Sequence, residues 1–368
     1  MKKIPILSCG LSFALAASAQ QQPQQSQQPQ SQPQPQSQPP SENSINHLWR
    51  FESINPDNDW TRHFRIGGLV GMNIRADFKM SGTFNISGSD PSSGIYDDGY
   101  VRVDNTGNAG GQTSYWGYDS ASQLSGSTLT MHSTKSFSTS GGASDDASPY
   151  LGLDLAYGDS YWYWGGAKIG WEFGFGLLPV HIADNQPMAA TVNRSVFSFN
   201  TGDIIVPTAP YNGGPSGTGP TISDAPTQLP DDTVPGTVTG TRALDVMLFT
   251  ARLGPSLYWD FGQHIGLYAS AGPAIGFVSG ELDYDETILA ADGGSAHNAG
   301  HVSGGGLTFG GYVNATLVYH FVDEAAADIY IGAQYMPMTG ASISGGGREG
   351  RLDLGGQLYL SFGINWPF

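Results

Sequence analysis

Residues 351–368 read RLDLGGQLYLSFGINWPF and end on Phe368. Successive side chains of a β-strand point to opposite faces, and the two faces of this stretch differ in polarity over 17 residues. A half-buried strand of a soluble protein usually has about 5–6 residues, so the stretch predicts an unusually long strand with one apolar face. That face consists of Leu352, Leu354, Gly356, Leu358, Leu360, Phe362, Ile364, Trp366 and Phe368.

The same alternation recurs upstream, and with residues 351–368 it predicts eight strands. In the first segment, residues 64–78, the apolar set ends on Ile74, Ala76 and Phe78. The opposite set includes Arg75 and Asp77. The other segments are residues 150–157, 161–177, 243–261, 265–285, 307–321 and 329–338.

The predicted connections alternate in length. Short connections cover residues 158–160, 262–264 and 322–328, and long ones cover 79–149, 178–242, 286–306 and 339–350. This alternation is typical of outer-membrane barrels, which have short periplasmic turns and longer outer loops. The sequence therefore predicts an all-β fold, a transmembrane antiparallel up-and-down β-barrel with long extracellular loops. The length of the first two loops leaves ten or twelve strands open as alternatives to eight.

Composition excludes several classes of protein. Only 13% of the residues are charged, 52 are glycine and 11% are aromatic, which argues against a helical bundle and against a wholly disordered chain. The net charge of −17 leaves no basic footprint for nucleic acid. A soluble barrel would turn its apolar set inward, whereas here the charged set must line the interior, because a Lys or Arg facing lipid costs about 2–4 kcal/mol.

The amino terminus predicts secretion. Lys2 and Lys3 precede an apolar run from Ile4 to Ala17 and an Ala17-Ser18-Ala19 cleavage site, which is the pattern of a signal peptide over residues 1–19. The run is too short to span a bilayer as a helix. Cleavage before Gln20 removes Cys9, so no thiol chemistry is expected in the mature chain. A lipoprotein box ending at Cys9 is a poor alternative, since Cys9 lies inside the apolar run.

Three further regions follow the signal peptide. Residues 20–46 are almost entirely Gln, Pro and Ser and predict a disordered tether. Residues 47–63 form a periplasmic lead-in, and residues 64–368 form the barrel. Within the predicted loop 178–242, repeated prolines favour a mobile or extended segment.

The predicted interior carries polar side chains. Aligning the strands by their middles places Asp154, Lys168, Glu172 and Arg252 near one level, and we expect a buried cluster of ion pairs there, since unpaired buried charges are costly. The cluster fits a polar plug that fills the interior, or a narrow gated ion path. The other polar members of the inward set are Arg65, Asn73, Arg75, Asp77, Asp260, His320, Gln334 and Gln357.

Motifs for metal binding and catalysis are weak. Residues 104–108 (DNTGN) alternate oxygen ligands around a glycine, but without the glutamate of a calcium loop they favour a simple turn. His297 and His301 form the one close histidine pair, in a predicted Gly-rich loop that does not favour zinc. A hydrolase could be built from His132 and Ser133 with Asp145 and Asp146. We expect no catalytic residue, no metal and no cofactor.

The alternate apolar positions that lead back from Phe368 resemble the carboxy-terminal signature of bacterial outer-membrane β-barrels. In that family the barrel-assembly machinery reads this strand, which implies such a role for Leu360, Phe362, Ile364, Trp366 and Phe368. Pro367 is unusual there, although a missing N–H costs little at the terminus. The C-terminal half resembles the small eight-stranded transmembrane domain of outer membrane protein A. Residues 96–119 followed by the barrel resemble uncharacterised barrel proteins of the Verrucomicrobia.

The resemblance covers residues 64–368 and implies a protein of the bacterial outer membrane with its tether in the periplasm. The expected role is non-enzymatic, either structural or in surface interaction. A small passive pore and an outer-membrane hydrolase are the alternatives. Expected partners are outer-membrane lipids, the barrel-assembly machinery and an extracellular partner bound through the long loops, which are acidic and rich in Gly, Ser and Thr.

Overall fold

The computed structural model describes residues 52–54, 60–84, 86, 88–144, 149–291, 294–321 and 327–368. The predicted signal peptide, the tether, most of the lead-in, and Asp145 and Asp146 lie outside these residues. Short 3-10 helices cover Pro91–Ser93, Ala109–Gly111 and Ala121–Gln123. The strands are β1 (Glu52–Ser53), β2 (Arg62–Met72), β3 (Arg75–Thr83), β4 (Ile95–Tyr96), β5 (Gly99–Val101), β6 (Gln112–Thr113), β7 (Trp116–Tyr118), β8 (Leu124–Ser125), β9 (Thr128–Thr139), β10 (Gly142–Ser144), β11 (Tyr150–Trp164), β12 (Ala167–Asp184), β13 (Met188–Asn200), β14 (Tyr211–Asn212), β15 (Ile222–Ser223), β16 (Thr227–Asp260), β17 (Ile265–Ala290), β18 (Ser295–Tyr319), β19 (Asp328–Tyr335), β20 (Ala341–Gly345), β21 (Arg348–Asp353) and β22 (Leu358–Pro367).

The strand pairings return to their starting point. In the order β2, β11, β12, β16, β17, β18, β19 and β22, each strand pairs antiparallel with the next, and β22 pairs with β2. We call this closed set of strands the ring. The all-β antiparallel fold predicted from the sequence is therefore present. Closure gives the backbone N–H and C=O groups of every ring strand a neighbour on both sides, so that the ring has no free edge.

Several ring strands continue beyond the ring. Strands β16, β17 and β18 have 34, 26 and 25 residues, and their far ends join β13, β9, β3, β21 and β20 in one continuous sheet. We call this part the head: strands β3–β10, β13–β15, β20 and β21 with the adjoining ends of β12, β16, β17 and β18. A small sheet of β14, β7, β5 and β4 covers it around an apolar cluster that contains Trp116, Leu129 and Phe199.

Polarity changes sides along the straight strands. On β17 the outward residues Ile275 and Phe277 are apolar and exposed, whereas the outward residues from Ser279 to Thr287 are polar. The inward residues change in the opposite sense, from Ser270 to the buried Val278 and Leu282. The lower part of the ring is thus apolar outside, and the head is apolar inside.

Near the first and last ring strands, the apolar residues also change from the outer face to the interior. There the change occurs where the alternation of the strand is interrupted. Asn73 takes φ 60°, and beyond it Ile74, Ala76 and Phe78 are buried while Arg75 is exposed. The prediction that Ile74, Ala76 and Phe78 face outward opposite Arg75 was therefore wrong. The same reversal occurs between β21 and β22, because Leu352 and Leu354 are buried while Leu360 and Phe362 are exposed.

Other predicted boundaries also differ. Residues 158–160 continue β11 in register with β12, and the hairpin turns at Gly165 and Gly166, whose φ values of 56° and 83° suit glycine. Much of the predicted loops 178–242 and 286–306 is strand. Pro230 and Pro235 lie in β16 where it pairs with β13 on one side only, so their missing N–H groups cost little.

The interior is filled in layers. A polar layer in the lower ring is followed by an apolar layer that includes Leu178, Leu248 and Val278. A second charged layer contains Arg242 and Glu286. A further apolar layer contains Met80, Phe84, Phe137, Met188, Ala190, Val192, Val238, Ile288 and Ala290.

Candidate functional site

The lower polar layer holds most of the predicted cluster. Arg252 on β16 donates to both carboxylate oxygens of Asp154 on β11, at 2.8 and 3.1 Å. Both side chains are buried. The sequence allows this approach because the inward residue beside the guanidinium is Gly174, where a Cβ atom would lie 2.3 Å from the Arg252 Cζ.

Glu172 forms the second part of the layer with two residues of β2. Its carboxylate accepts a hydrogen bond from Arg65 and lies 3.3 Å from His63 Nε2. Its other oxygen accepts from Ser270 Oγ at 3.2 Å. Every one of these side chains is buried. A buried carboxylate needs such partners, since an unpaired one is strongly destabilising.

Lys168 lies apart from this cluster. Its Nζ is 3.4 Å from the ring centroid of Trp60 and 3.2 Å from the Trp60 carbonyl oxygen. Trp60 also packs against Tyr258, with 5.0 Å between ring centroids. The structure thus brings Asp154, Glu172 and Arg252 into one layer and places Lys168 beside Trp60 instead.

Sequence reasoning missed the roles of His63 and Arg65. Arg65 belonged to the predicted inward set, but alignment by strand middles ignores the stagger between strands and did not bring it to Glu172. His63 lay just before the predicted first strand. Residue 63 is two positions before Arg65 and therefore faces the same side of a strand. This signal could have placed His63 in the interior.

Tyrosines complete the lower layer. The Arg65 guanidinium lies 5.0 Å from the Tyr268 ring and 5.6 Å from the Tyr330 ring. That of Arg252 lies 5.9 Å from the Tyr312 ring. These cation–π contacts add to the ion pairs of the lower layer.

The second charged layer lies in the head. Arg242 is 3.0 Å from Asp184 and 3.7 Å from Glu286, and Arg348 is 3.9 Å from Glu286. Burial raises the pKa of Glu286 to about 7, although Arg242 and Arg348 act in the opposite direction. Within the described residues the carboxylate oxygens of Glu286 accept no hydrogen bond, which explains why burial prevails over the two guanidinium groups.

Residues 104–108 form a turn held by a carboxylate. Asp104 Oδ1 accepts from the Thr106 N–H at 2.8 Å, and Oδ2 accepts from the Ser114 N–H at 3.0 Å. Hydrogen bonds from Thr106 and Ser114 lower the pKa of Asp104. Both oxygens are therefore engaged by protein donors, as the interpretation as a turn predicts.

The histidines do not form a metal centre in the described part of the chain, where no group of three or more His, Cys, Asp or Glu could hold an ion. His297 and His301 lie on strand β18 rather than in a loop. His297 is 2.8 Å from Asp285. His132 contacts Asp98, 2.7 Å away, and Ser133 lies 3.5 Å from Ser89.

The predicted assembly signal lies on the outer face of the ring. Leu360, Phe362 and Ile364 on β22 are exposed, as is the terminal Phe368, and Trp366 stacks on Phe64 of β2 with 6.0 Å between ring centroids. These residues belong to the apolar outer band, which includes exposed side chains from every ring strand. Further members are Ile66, Leu151, Leu153, Phe173, Leu253, Ile275, Phe277, Leu307, Phe309, Val313, Leu317, Ile329 and Ile331.

Comparison with known proteins gives little. No protein-family model and no curated protein match the chain. Among solved structures, the attachment invasion locus protein Ail of Yersinia pestis is 9% identical over 82% of this chain and 99% of its own, with a TM-score of 0.23. OprG from Pseudomonas aeruginosa is 11% identical over 82% of this chain and 96% of its own, with a TM-score of 0.25. The outer membrane protease OmpT from Escherichia coli is 6% identical over 84% of this chain and 97% of its own, with a TM-score of 0.22. Similarities this slight support no conclusion about fold or function.

Among the described residues, no helix has the length and apolar character needed to cross a membrane.

Proposed function

We propose that the ring is an eight-stranded transmembrane β-barrel of a bacterial outer membrane, with a sealed interior, and that it anchors the head at the cell surface. The observation that carries this proposal is the exchange of polarity between the two faces of the same strands. In the lower ring Phe309 is 56% exposed while Glu172 is fully buried. That arrangement is stable where the surroundings are apolar and the enclosed space is polar.

The width of the apolar outer band supports a membrane location. It runs around all ring strands, whereas soluble monomers rarely expose apolar patches larger than a few hundred Å². In hydrocarbon every backbone polar group must find a partner within the protein, and a sheet can provide this only by closing. The ring closes. Six of its eight strands have 11 or more residues, β22 has 10 and β19 has 8, and about 9–11 residues are needed to span a membrane.

The end of the ring that carries short turns sets the orientation. Gly165–Gly166 and residues 261–264 lie at the same end as the Arg62–Phe368 backbone hydrogen bond of 3.0 Å. Short turns of outer-membrane barrels face the periplasm. The head then faces outward and the predicted tether lies in the periplasm. The outward residues Leu360, Phe362, Ile364, Trp366 and Phe368 are available to the barrel-assembly machinery and to lipid.

The layered interior supports a sealed anchor over a passive pore. The paired charges of Asp154, Arg252, Glu172 and Arg65 occupy the lower level, and the apolar layer that includes Leu178, Leu248 and Val278 lies above them. Eight-stranded barrels are about as narrow as side chains can fill. The role in this proposal is structural, with the head available for interaction with an extracellular partner.

The test is electrical recording from the full-length protein in planar bilayers, after heat-modifiable gel mobility has shown that it is folded. We expect no stepwise conductance from the native protein. Arg252→Ala is also expected to be silent, because the apolar layer around Leu178, Leu248 and Val278 remains. Discrete openings of the native protein would replace the sealed anchor with the pore, and a protein that is soluble without detergent would overturn the membrane assignment.

A further inference from the structure

A histidine–carboxylate pair lies in a cleft of the head. His132 Nδ1 is 2.7 Å from Asp98 Oδ2, and the His132 backbone N–H donates to Asp98 Oδ1 at 2.9 Å. The contact favours the tautomer with the proton on Nδ1, because the ionised carboxylate only accepts. Nε2 is then the acceptor nitrogen of the ring. The two side chains are 18% and 24% exposed, so the pair is sheltered but reachable.

The pair is held rigidly. The Asp97 N–H donates to the His132 carbonyl oxygen at 2.9 Å, and the Thr134 N–H donates to Asp97 Oδ2 at 2.6 Å. Gln123 Nε2 donates to the Asp98 carbonyl oxygen at 2.9 Å. The turn that carries Asp98 is thereby fixed to strand β9, and catalytic groups depend on such fixed positions.

The cleft has the size and charge of a ligand site. Its volume is about 400 Å³ and its lining includes Asp97, Asp98, Asp119, His132 and Arg194, within the range of small-molecule pockets. Asp97 Oδ1 is buried and has no hydrogen-bond partner among the described residues. The charge of Arg194 is offset by Asp232, 2.7 Å away. The carboxylates therefore favour a ligand that carries a positive charge.

We propose that this cleft hydrolyses a carboxylic ester or amide that has a cationic group beside the scissile bond. In this proposal the nucleophile is water, because Asp98 engages His132 Nδ1 and Nε2 is left to accept a proton. His132 Nε2 accepts a proton from water as its oxygen bonds to the carbonyl carbon. The carbon–oxygen or carbon–nitrogen bond of the tetrahedral intermediate then breaks, and the imidazolium returns the proton to the leaving alcohol or amine. Asp98 orients the ring and stabilises the imidazolium.

A second histidine–aspartate pair provides a matched control. His297 Nε2 lies 2.8 Å from Asp285 Oδ1 on the outer surface of the head, where the side chains are 60% and 66% exposed. It has the same two groups at nearly the same distance but lies open to solvent. His297→Ala therefore removes an imidazole without touching the cleft.

The experiment uses the full-length protein in detergent micelles. The probes are p-nitrophenyl esters and p-nitroanilides of Nα-acyl-lysine and of Nα-acyl-norleucine, its neutral counterpart. We expect turnover above the buffer rate, with kcat/KM at least about tenfold higher for the lysine ester. His132→Ala should lower kcat by about 100-fold or more, as loss of a general base does. Asp98→Asn should lower kcat while KM changes little, and Asp119→Asn should raise KM for the lysine probes alone.

Three results would overturn the proposal. The first is that the native protein hydrolyses every probe no faster than buffer does. The second is that His132→Ala keeps the native turnover. The third is that His297→Ala loses as much turnover as His132→Ala does. Heat-modifiable gel mobility checks that each variant is folded. Because conductance and hydrolysis are separate measurements, loss of this activity leaves the sealed barrel standing.

Discussion

Arg252 and Asp154 meet across the interior of the ring, although strand β12 separates the strands that carry them. The guanidinium donates to both carboxylate oxygens, at 2.8 and 3.1 Å, and both groups are buried. Arg252→Ala leaves the Asp154 charge without its partner, and we expect it to destabilise the protein by about 3–5 kcal/mol. The midpoint of urea unfolding, followed by gel mobility, measures this.

The control for Arg252→Ala is Lys135→Ala. Lys135 pairs with Asp231 at 2.9 Å on the surface of the head, where both are about half exposed, and we expect a change of about 1 kcal/mol or less. The double variant Arg252→Met with Asp154→Leu should recover much of the loss, because no buried charge remains. Equal midpoints for Arg252→Ala and Lys135→Ala would contradict the buried pair.

Phe309 and Ser303 test where the membrane begins. Both face outward on β18, but Phe309 belongs to the apolar outer band and Ser303 lies beside polar residues of the head. Phe309→Arg should reduce the folded fraction in lipid vesicles, because an Arg that faces lipid costs about 2–4 kcal/mol at the bilayer midplane and less toward the interface. Ser303→Arg should fold like the native protein. Similar folding of both variants would show that the band does not face lipid.

The head should lose stability as the pH rises because of Glu286. Its pKa in the folded protein is about 7, against 4.5 for the ordinary group, so the folded state keeps a proton that the unfolded state releases. The penalty grows from pH 4.5 to 7 and is complete above that. It is on the order of 3 kcal/mol. Protease susceptibility of the head between pH 5 and 8 measures it.

Glu286→Gln should abolish this part of the pH dependence, because the amide has no proton to lose. Glu281→Gln on the same strand is the control, since Glu281 is exposed. If Glu281→Gln flattens the profile as much as Glu286→Gln does, the buried carboxylate is not the source.

The terminal aromatic residue separates assembly from stability. Phe368 is 58% exposed and its backbone N–H donates to Arg62 at 2.8 Å. Phe368→Ala keeps that backbone contact. It should therefore refold normally into detergent micelles from urea, but accumulate less in the outer membrane of cells. A matching loss in both settings would mean that the side chain contributes stability rather than a signal to the assembly machinery.

The alternation of side chains predicted the antiparallel sheet and its apolar outer band, because both depend on the two-residue period of a strand. It could not predict where that period is interrupted. Asn73 and residues 354–357 turn the backbone over, so Ile74 and Leu352 face the interior although they share the parity of exposed residues. A periodicity carried through such a point assigns each later side chain to the wrong face.

The candidate sites show the same limit. The inward positions of Arg252 and Asp154 predicted a shared cluster but not their direct pairing, and the contact of Glu172 with His63 and Arg65 depends on strand stagger. The His132–Asp98 pair joins residues 34 positions apart through the fold of the head. The sequence named His132, but the spacing of the two residues carries no pattern that would have selected Asp98.

Strands β16, β17 and β18 are continuous from the ring into the head. From Ser279 to Ala290, β17 rises roughly 36 Å along its own direction at about 3.3 Å per residue. No hinge or linker interrupts these three strands between the ring and the head. A tilt of the ring must therefore tilt the head with it. In the proposed orientation the cleft therefore stands at a fixed height above the bilayer, and only molecules that reach that height can enter it.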